Sequence, residues 1–219
     1  MSNDRRRETA RVTTSFDRVA DLYRRQFADE LDRKPFDRRL LDRVARRFPT
    51  GAPVLEVGSG PAQVGAYLRA RGVPVIASDA SVGQLREALA LDPTRPVLAA
   101  DLGGLPARAG AFAGIVAFYC LIYGPAEHLG GVFAEWHRAL RPGGVAVMAV
   151  HAGEGTIHFE EWFGRTVDVT IVLRDPDALA AQLESNGFAV DERTVRPPYD
   201  DEHQTDRCYV VATRAESTS

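Results

Sequence analysis

Apolar residues recur along this chain in two periods, and the change from one to the other marks out its organisation. Between Thr14 and Phe27 the residues Phe16, Val19, Ala20, Tyr23 and Phe27 stand three and four apart, which places them on one helix face with arginines and acids around the rest. A second helix follows Pro35 through Phe36, Leu40, Leu41, Val44 and Phe48, and Pro49 closes it. Short apolar runs then begin: Val54–Val57, Val73–Ser78, Pro96–Ala100, Phe112–Cys120 and Val145–Val150 read as buried strands. Helical patterns separate them, at Val64, Tyr67 and Leu68, then at Leu85 and Leu89. Further on, Val167, Val169, Ile171 and Leu173 alternate with Asp168, Thr170 and Val172, which predicts a half-exposed strand. A helix begins near Asp175 and ends at Asn186-Gly187, and Phe188–Val195 and Cys208–Thr213 supply two more strands.

Composition narrows this to one ordinary domain. The chain has 219 residues, 45% hydrophobic and 26% charged, enough to bury a sizeable core without a second one. The expected layout is a single domain over 13–214, with 13–49 as a helical cap and 152–174 as an insertion. The polar, Arg-rich residues 1–12 and residues 215–219 are expected to be flexible tails. A net charge of −3 argues against nonspecific attraction to nucleic acid. The two cysteines, Cys120 and Cys208, form no disulfide framework and read as reduced core thiols in a cytoplasmic protein. No apolar segment approaches the roughly 20 residues of a membrane span, so no membrane partner is expected. There is no His-Glu-x-x-His or Cys-x-x-Cys, and no metal is expected.

The stretch Val54 to Ala62, Val-Leu-Glu-Val-Gly-Ser-Gly-Pro-Ala, joins the first strand to a helix. Gly58 and Gly60 leave the backbone free to turn and to touch a ligand, and such turns bind ligands in open α/β sheets. A dinucleotide fingerprint needs a third glycine at position 63, where Gln63 stands. Glu56 is unhelpful to a pyrophosphate but suits a ligand with positive charge, such as an amine or sulfonium. Asp79 ends the second strand roughly 20 residues on, where nucleoside folds place a ribose-binding acid.

The pattern Glu-x-Gly-x-Gly resembles the first motif of class I S-adenosylmethionine (SAM) methyltransferases, with Ala62 where that family usually has another glycine. Phe-Asp-x-x-Ala-x-x-Tyr resembles the N-terminal helix of small-molecule members, where the tyrosine, here Tyr23, covers the methionine end of the cofactor; an ordinary packing tyrosine is the other reading. Ala80 to Gln84 resembles the family's turn beside the adenine. Ala-Asp-Leu-Gly-Gly-Leu-Pro resembles its next motif, in which Asp101 and Leu102 meet the adenine edge; an Asp-Gly-Gly turn alone would be ordinary loop chemistry. In Leu-Arg-Pro-Gly-Gly, which also resembles a family element, Pro142, Gly143 and Gly144 are expected to stop a helix. The likeness runs loosely from Phe16 to Thr213, with the specific motifs between Val54 and His151. It implies a Rossmann-like, doubly wound α/β sheet of about seven strands, mostly parallel with an antiparallel last strand, plus N-terminal helices and a lid insertion. It also implies SAM as cofactor, S-adenosylhomocysteine (SAH) as product, and Gly58, Gly60, Glu56, Asp79 and Phe118 among the residues that hold them.

In such an enzyme the methyl is already activated on a sulfonium, so the protein mainly aligns the acceptor, excludes water and, where needed, removes a proton. Phe118-Tyr119-Cys120 ends the fourth strand where nucleic-acid amine methyltransferases usually show Asp- or Asn-Pro-Pro, which argues against a nucleobase substrate. His151 ends the fifth strand at the edge where sites gather and is the candidate general base near the usual imidazole pKa of about 6.5; capping a strand is its alternative. The segment after it, rich in Gly and aromatics and similar to an insertion in actinobacterial-type small-molecule members, is expected to be a mobile lid. Tyr119, Tyr123 and Trp162 are the candidate acceptor contacts. The expected function is methyl transfer to O or N of a small-molecule acceptor, by a monomer or homodimer. A non-catalytic SAM- or SAH-binding protein, or a recruited cyclase on the same fold, is the alternative; an NAD-dependent oxidoreductase is disfavoured by Gln63 and Glu56.

Overall fold

The computed structural model describes residues 3–215. Helix α1 spans Asn3–Phe27 and α2 spans Pro35–Ala45, where proline suits a first turn whose N–H has no partner anyway. Strands β1 (Val54–Val57), β2 (Val75–Asp79) and β3 (Val97–Ala99) alternate with α3 (Gln63–Arg69) and α4 (Val82–Leu91). Next come β4 (Phe112–Phe118), α5 (Leu129–Ala139) and β5 (Leu140–Ala152). A hairpin of β6 (Thr156–Trp162) and β7 (Arg165–Val172) precedes α6 (Pro176–Glu184), β8 (Phe188–Arg196) and β9 (Asp206–Arg214).

Seven strands form one sheet in the order β3-β2-β1-β4-β5-β9-β8, parallel except for β9, as the pattern predicts. The chain leaves β1 outward to β2 and β3, then returns to β4 on the other side of β1. That reversal opens a crevice at the carboxyl ends of β1 and β4. Both sheet faces are buried: Leu55, Val57, Ile115, Ala117 and Met148 pack with Phe133 and Trp136 of α5, while Val54, Val116 and Val147 pack with Leu40, Leu41 and Leu68 of α2 and α3. Strands covered on both sides read as near-continuous apolar runs, and Phe112–Phe118 does so without a break while Val54–Val57 is interrupted only by Glu56.

Three expectations need correction. Residues 3–12 are not a frayed tail but continue α1. They are held because the helix docks on the sheet edge, where the Thr9 hydroxyl donates to Asp101 at 3.1 Å. Met1, Ser2 and residues 216–219 of the expected tails lie outside the described residues. The Pro142-Gly143-Gly144 segment lies past the end of α5, which stops at Ala139, and sits inside β5 where its register against β4 shifts between Leu140 and Val145, instead of capping the helix. There Gly143 takes a φ of 70°, and a Cβ on Gly144 would stand 2.8 Å from the Arg141 carbonyl oxygen. Finally, the expected half-exposed strand is there as β7, but it is one arm of a hairpin whose other arm, β6, was not expected. Phe163 (φ 54°) and Gly164 (φ 74°) both take positive φ in its turn, the conformation that suits the twist of two adjacent strands.

The hairpin is fastened to α1. Ser15 Oγ accepts the Asp168 N–H at 2.9 Å, Arg11 pairs with Asp168, and Arg165 donates to Asp21 at 2.7 Å. On its other side α1 lies against α4, where Asp17 accepts the Gly83 N–H at 2.8 Å and the Ser81 hydroxyl at 2.5 Å. Ser81 in turn caps α4 by accepting the Gln84 N–H. So α1 and the hairpin together roof the crevice.

Candidate active site

The chain leaves β1 through Gly58 (φ 58°) and Gly60 (φ 53°). The reason for Gly58 differs from the sequence expectation that a ligand takes the space beside it. A Cβ there would lie 2.3 Å from Cys120 Cβ, so the residue following Tyr119 already fills that space. Gly60 is the one that opens on a ligand: its Cβ would face the Tyr23 ring at 3.5 Å and Gln84 Oε1 at 3.8 Å. Ala62 adopts φ 60°, ψ 41°, a left-handed conformation that costs a non-glycine residue about 1–2 kcal/mol. Its methyl is fully buried beside Ala77 and Ala88.

A cavity lies over this turn, lined by Tyr23, Gly58, Gly60, Asp79, Ala80, Gln84, Asp101, Leu102 and Phe118. Asp79 accepts the Gly60 N–H at 2.9 Å on one oxygen and the Ser81 N–H at 2.8 Å on the other. A carboxylate has about four acceptor sites, so two remain for a pair of hydroxyls. Burial pushes the Asp79 pKa up to about 6, against the pull of those backbone N–H groups. Gln84 is 1% exposed, and neither atom of its amide has a partner among the described residues. Such a group costs about 1–3 kcal/mol until something pairs with it. Leu102, Leu121, Leu129 and Val132 supply an apolar slot beyond. An acid with two open sites, an unpaired amide and a flat apolar slot fit the nucleoside of SAM. Asp101 accepts the Gly103 N–H at 2.9 Å as well as the Thr9 hydroxyl, so its carboxylate also orders the loop.

A second cavity, of about 770 Å³, shares Tyr23, Gly58, Gly60, Phe118, Tyr119 and Tyr123 with the first. Phe27, Phe159, Trp162 and Phe163 form its apolar wall, and Lys34, His151, Glu202, His203 and Arg207 its polar end. The Tyr23 ring also packs edge-on against Phe16 at 5.5 Å and lies 6.4 Å from Trp162, so it is at once a packing tyrosine and a wall of both cavities. Tyr119 (φ 58°) stands where the cavities meet. Its hydroxyl lies 3.2 Å from that of Tyr209, which donates to Asp37 at 2.9 Å and accepts from Arg196 at 2.8 Å. With its one proton given to Asp37, Tyr209 is the acceptor, and Tyr119 the donor. Arg196 clamps both oxygens of Glu202, at 2.7 and 2.9 Å. Burial opposes the charge on Glu202, but that clamp and the Tyr199 N–H hold its pKa down to about 2.

Two electrostatic expectations change. The strand alternation sends Glu56 to the face covered by α3, where it is 3% exposed and close enough to Gly65 that a Cβ there would be 2.3 Å from Oε2. Burial pushes its pKa up to about 8 despite the amides of Gly65 and Val64 and the charge of Arg95. Glu56 thus lines the second cavity as a largely protonated acid at neutral pH, not as a full negative charge. His151 does not keep the usual imidazole pKa either: burial, then Arg207, His203 and Lys34, push it down to about 3.

Glu56 has a measurable signature. Its pKa in the folded chain exceeds the ordinary 4.5, so the unfolded chain loses that proton first and folding stability falls as pH rises from about 4.5 to 8. Glu56→Gln is expected to remove this component, on the order of a few kcal/mol across the window. Urea denaturation of both proteins at pH 5 and pH 8 measures it. Equal pH slopes for the two would show that Glu56 ionises freely.

Every residue named from the sequence as a candidate cofactor, acceptor or catalytic contact lines one of these two joined cavities, including His151, Trp162, Tyr119 and Tyr123 on the second. Sequence reasoning missed Glu8, Thr9, Val12 and Thr13 on the first, and Lys34, His203 and Arg207 on the second. The first group had a signal, because Thr9, Val12, Thr13 and Phe16 continue the helical spacing upstream. The second had none, as its members come from separate loops and strand ends. Cys120 and Cys208 are buried free thiols, as expected. Among the described residues there is no group of His, Cys, Asp or Glu placed to hold a metal, and no helix is long and apolar enough to cross a membrane.

Residues 54–144 match a family model described as a methyltransferase domain. The malonyl-[acyl-carrier protein] O-methyltransferase of Pseudescherichia vulneris is 32% identical over 182 residues, which cover 83% of this chain and 64% of that protein. The protein of the same name from Salmonella typhimurium is 31% identical over 134 residues, 61% of this chain and 51% of that one. The chain thus spans less than two thirds of the length of these relatives. The 1,6-didemethyltoxoflavin-N1-methyltransferase of Burkholderia thailandensis, solved with 1,6-didemethyltoxoflavin and SAH, matches with a TM-score of 0.71 at 20% identity over 94% of this chain and 88% of that chain. At that identity the likeness speaks for the fold.

Proposed function

We propose that this chain, which carries a class I SAM-dependent methyltransferase domain, transfers a methyl group to an O or N atom of a small molecule seated in the second cavity. SAM is the cofactor; when bound it supplies a methyl already activated on a sulfonium. The observation that carries the reading is the junction of the two cavities at Gly58, Gly60, Tyr119 and Tyr123, which lets an acceptor meet a nucleoside-bound group through a shared opening. Asp79 and Gln84 bind the nucleoside, while Asp101 and Leu102 border the adenine slot. Tyr23, Tyr123 and Trp162 exclude water and orient the acceptor, and Tyr119, held by the Tyr209–Asp37–Arg196 network, fixes the distance between the two ligands. The relatives' printed activity supports oxygen as the acceptor atom. A cytoplasmic location, a monomer or homodimer, and no nucleic-acid or membrane partner complete the proposal.

The test is a panel of carboxylic acids, phenols, alcohols and amines incubated with the protein and methyl-labelled SAM. Acceptor-dependent label transfer with release of SAH is the expected result. SAH binding with no transfer to any class would replace this reading with a non-catalytic binding protein or a cyclase on the same fold.

A further inference from the structure

We propose that the acceptor is a planar aromatic molecule of at least two rings, held in the second cavity by a belt of protein rings that runs outward from the opening shared with the nucleoside cavity. The inference rests on the methyl-transfer reading above and deepens it by naming the class of acceptor.

The belt can be followed ring by ring. Tyr119, at the shared opening, has its ring centre 5.3 Å from that of His151, which stands 6.1 Å from His203. His203 lies 6.3 Å from Phe159, Phe159 lies 5.3 Å from Trp162, and Trp162 lies 6.4 Å from Tyr23. These rings come from α1, the loop after β4, β5, β6 and the β8–β9 loop, and all of them line the cavity. Their planes meet at angles between 38° and 87°, so none lies flat on the next. Aromatic rings gain from offset-stacked and edge-to-face contact. A belt joined edge-on or tilted leaves ring faces without a stacking partner inside it. A single ring would touch only part of this run, and two joined rings would touch more.

Those faces are what the cavity shows a ligand. Val57, Val64, Ile122 and Ile171 also line it, but each is at most 8% exposed, whereas Tyr23, Tyr119, Phe159 and Trp162 are half-buried and His203 is exposed. Among the described residues no Leu or Met lines it. The apolar surface open to a ligand is therefore mostly aromatic. His151 joins the belt as an uncharged ring, because burial, then Arg207, His203 and Lys34, push its pKa down to about 3.

The same rings do not make a cage for an ammonium group. Aromatic faces attract cations, but Lys34 Nζ already stands 5.0 Å and Arg207 Cζ 5.8 Å from the centre of the Tyr119 ring. A cationic acceptor brought to that end would meet both charges, while an electron-rich ring is drawn to them. The cavity, at about 770 Å³, is in the range that holds a drug-sized ligand. With the acceptor's rings along the belt, the O or N atom it carries stands at Tyr119, beside the opening to the nucleoside cavity.

Calorimetry on the SAH-saturated protein tests this without turnover. The probes are 2-naphthol and 4-phenylphenol, each set against its saturated counterpart, decahydro-2-naphthol and 4-cyclohexylcyclohexanol, with choline as the cation. Saturation keeps the skeleton and the hydroxyl without losing apolar surface, so a merely apolar pocket binds the saturated partner at least as well. The belt is expected to favour the aromatic partner of at least one pair by about 10-fold or more, which is about 1.4 kcal/mol and the scale of one or two ring contacts. Trp162→Leu and Phe159→Leu should each bring that ratio down, and Trp162→Phe, which keeps a ring, should hold it. A smaller preference in both pairs, no binding of either aromatic probe, choline binding more tightly than both, or a ratio untouched by both leucine variants would overturn the proposal. SAH binding, measured first on every variant, shows that each is folded; its failure in the wild type would instead sink the methyl-transfer reading itself.

Discussion

Gly58→Val is expected to abolish SAH binding and to destabilise the fold by about 2–5 kcal/mol, the sum of overpacking and of forcing a β-branched residue into the left-handed region. The geometry leaves no easy escape: φ is 58° at this position, and a Cβ would stand 2.3 Å from Cys120 Cβ and 3.1 Å from its sulfur. The two causes can be separated. Cys120→Gly in the same chain removes the contact but not the dihedral, so it should recover part of the stability lost. Urea denaturation gives the stability and calorimetry with SAH the affinity. A Gly58→Val protein that unfolds and binds like the wild type would show that this turn does not organise the site.

Asp79→Ala is expected to weaken SAH binding by roughly 10- to 150-fold, the equivalent of about 1.5–3 kcal/mol of hydrogen bonding to a charged group. Asp79 has two jobs: its oxygens hold the Gly60 and Ser81 N–H groups, and their remaining lone pairs face the cavity. The pKa raised to about 6 gives a second signature. In the free protein, protonation of this carboxyl is favoured relative to the unfolded chain, so its share of stability rises as pH falls from about 6 towards 4, while a ligand that prefers the ionised form binds less well over the same range. Wild-type affinity that is unchanged by the substitution would remove Asp79 from the site.

Much of the fold was legible because its strands are covered on both faces. Phe112–Phe118 reads as an unbroken apolar run and Val54–Val57 is interrupted by Glu56 alone, and helical spacing between such runs left a doubly wound sheet as the natural reading. Strand β6 escaped because its alternation breaks where the register shifts between Phe159 and Glu161, which brings Glu160 and Glu161 together before Trp162. The turn after it is Phe163-Gly164, without the Asn or Asp that usually announces a hairpin. Residue identities at the nucleoside cavity were legible too, since glycines and acids at strand ends carry their own chemistry. What they do there was less so. Glu56 reads as a negative charge until the sheet buries it under α3, and nothing along the chain announces that Thr205, more than fifty positions away, stands 2.6 Å from His151 Nδ1. Spacing along the chain carries no record of such contacts. Gly58 is the same case, since the side chain that demands it comes from the end of β4.

The most direct test of the account is a pair of calorimetric titrations of the whole chain, one with SAH and one with NAD. The account predicts saturable binding of one SAH per chain, weakened by Asp79→Ala, and no binding of NAD, because Gln63 stands where a dinucleotide turn needs glycine. Binding of NAD, or a flat titration with SAH by a folded protein, would contradict it.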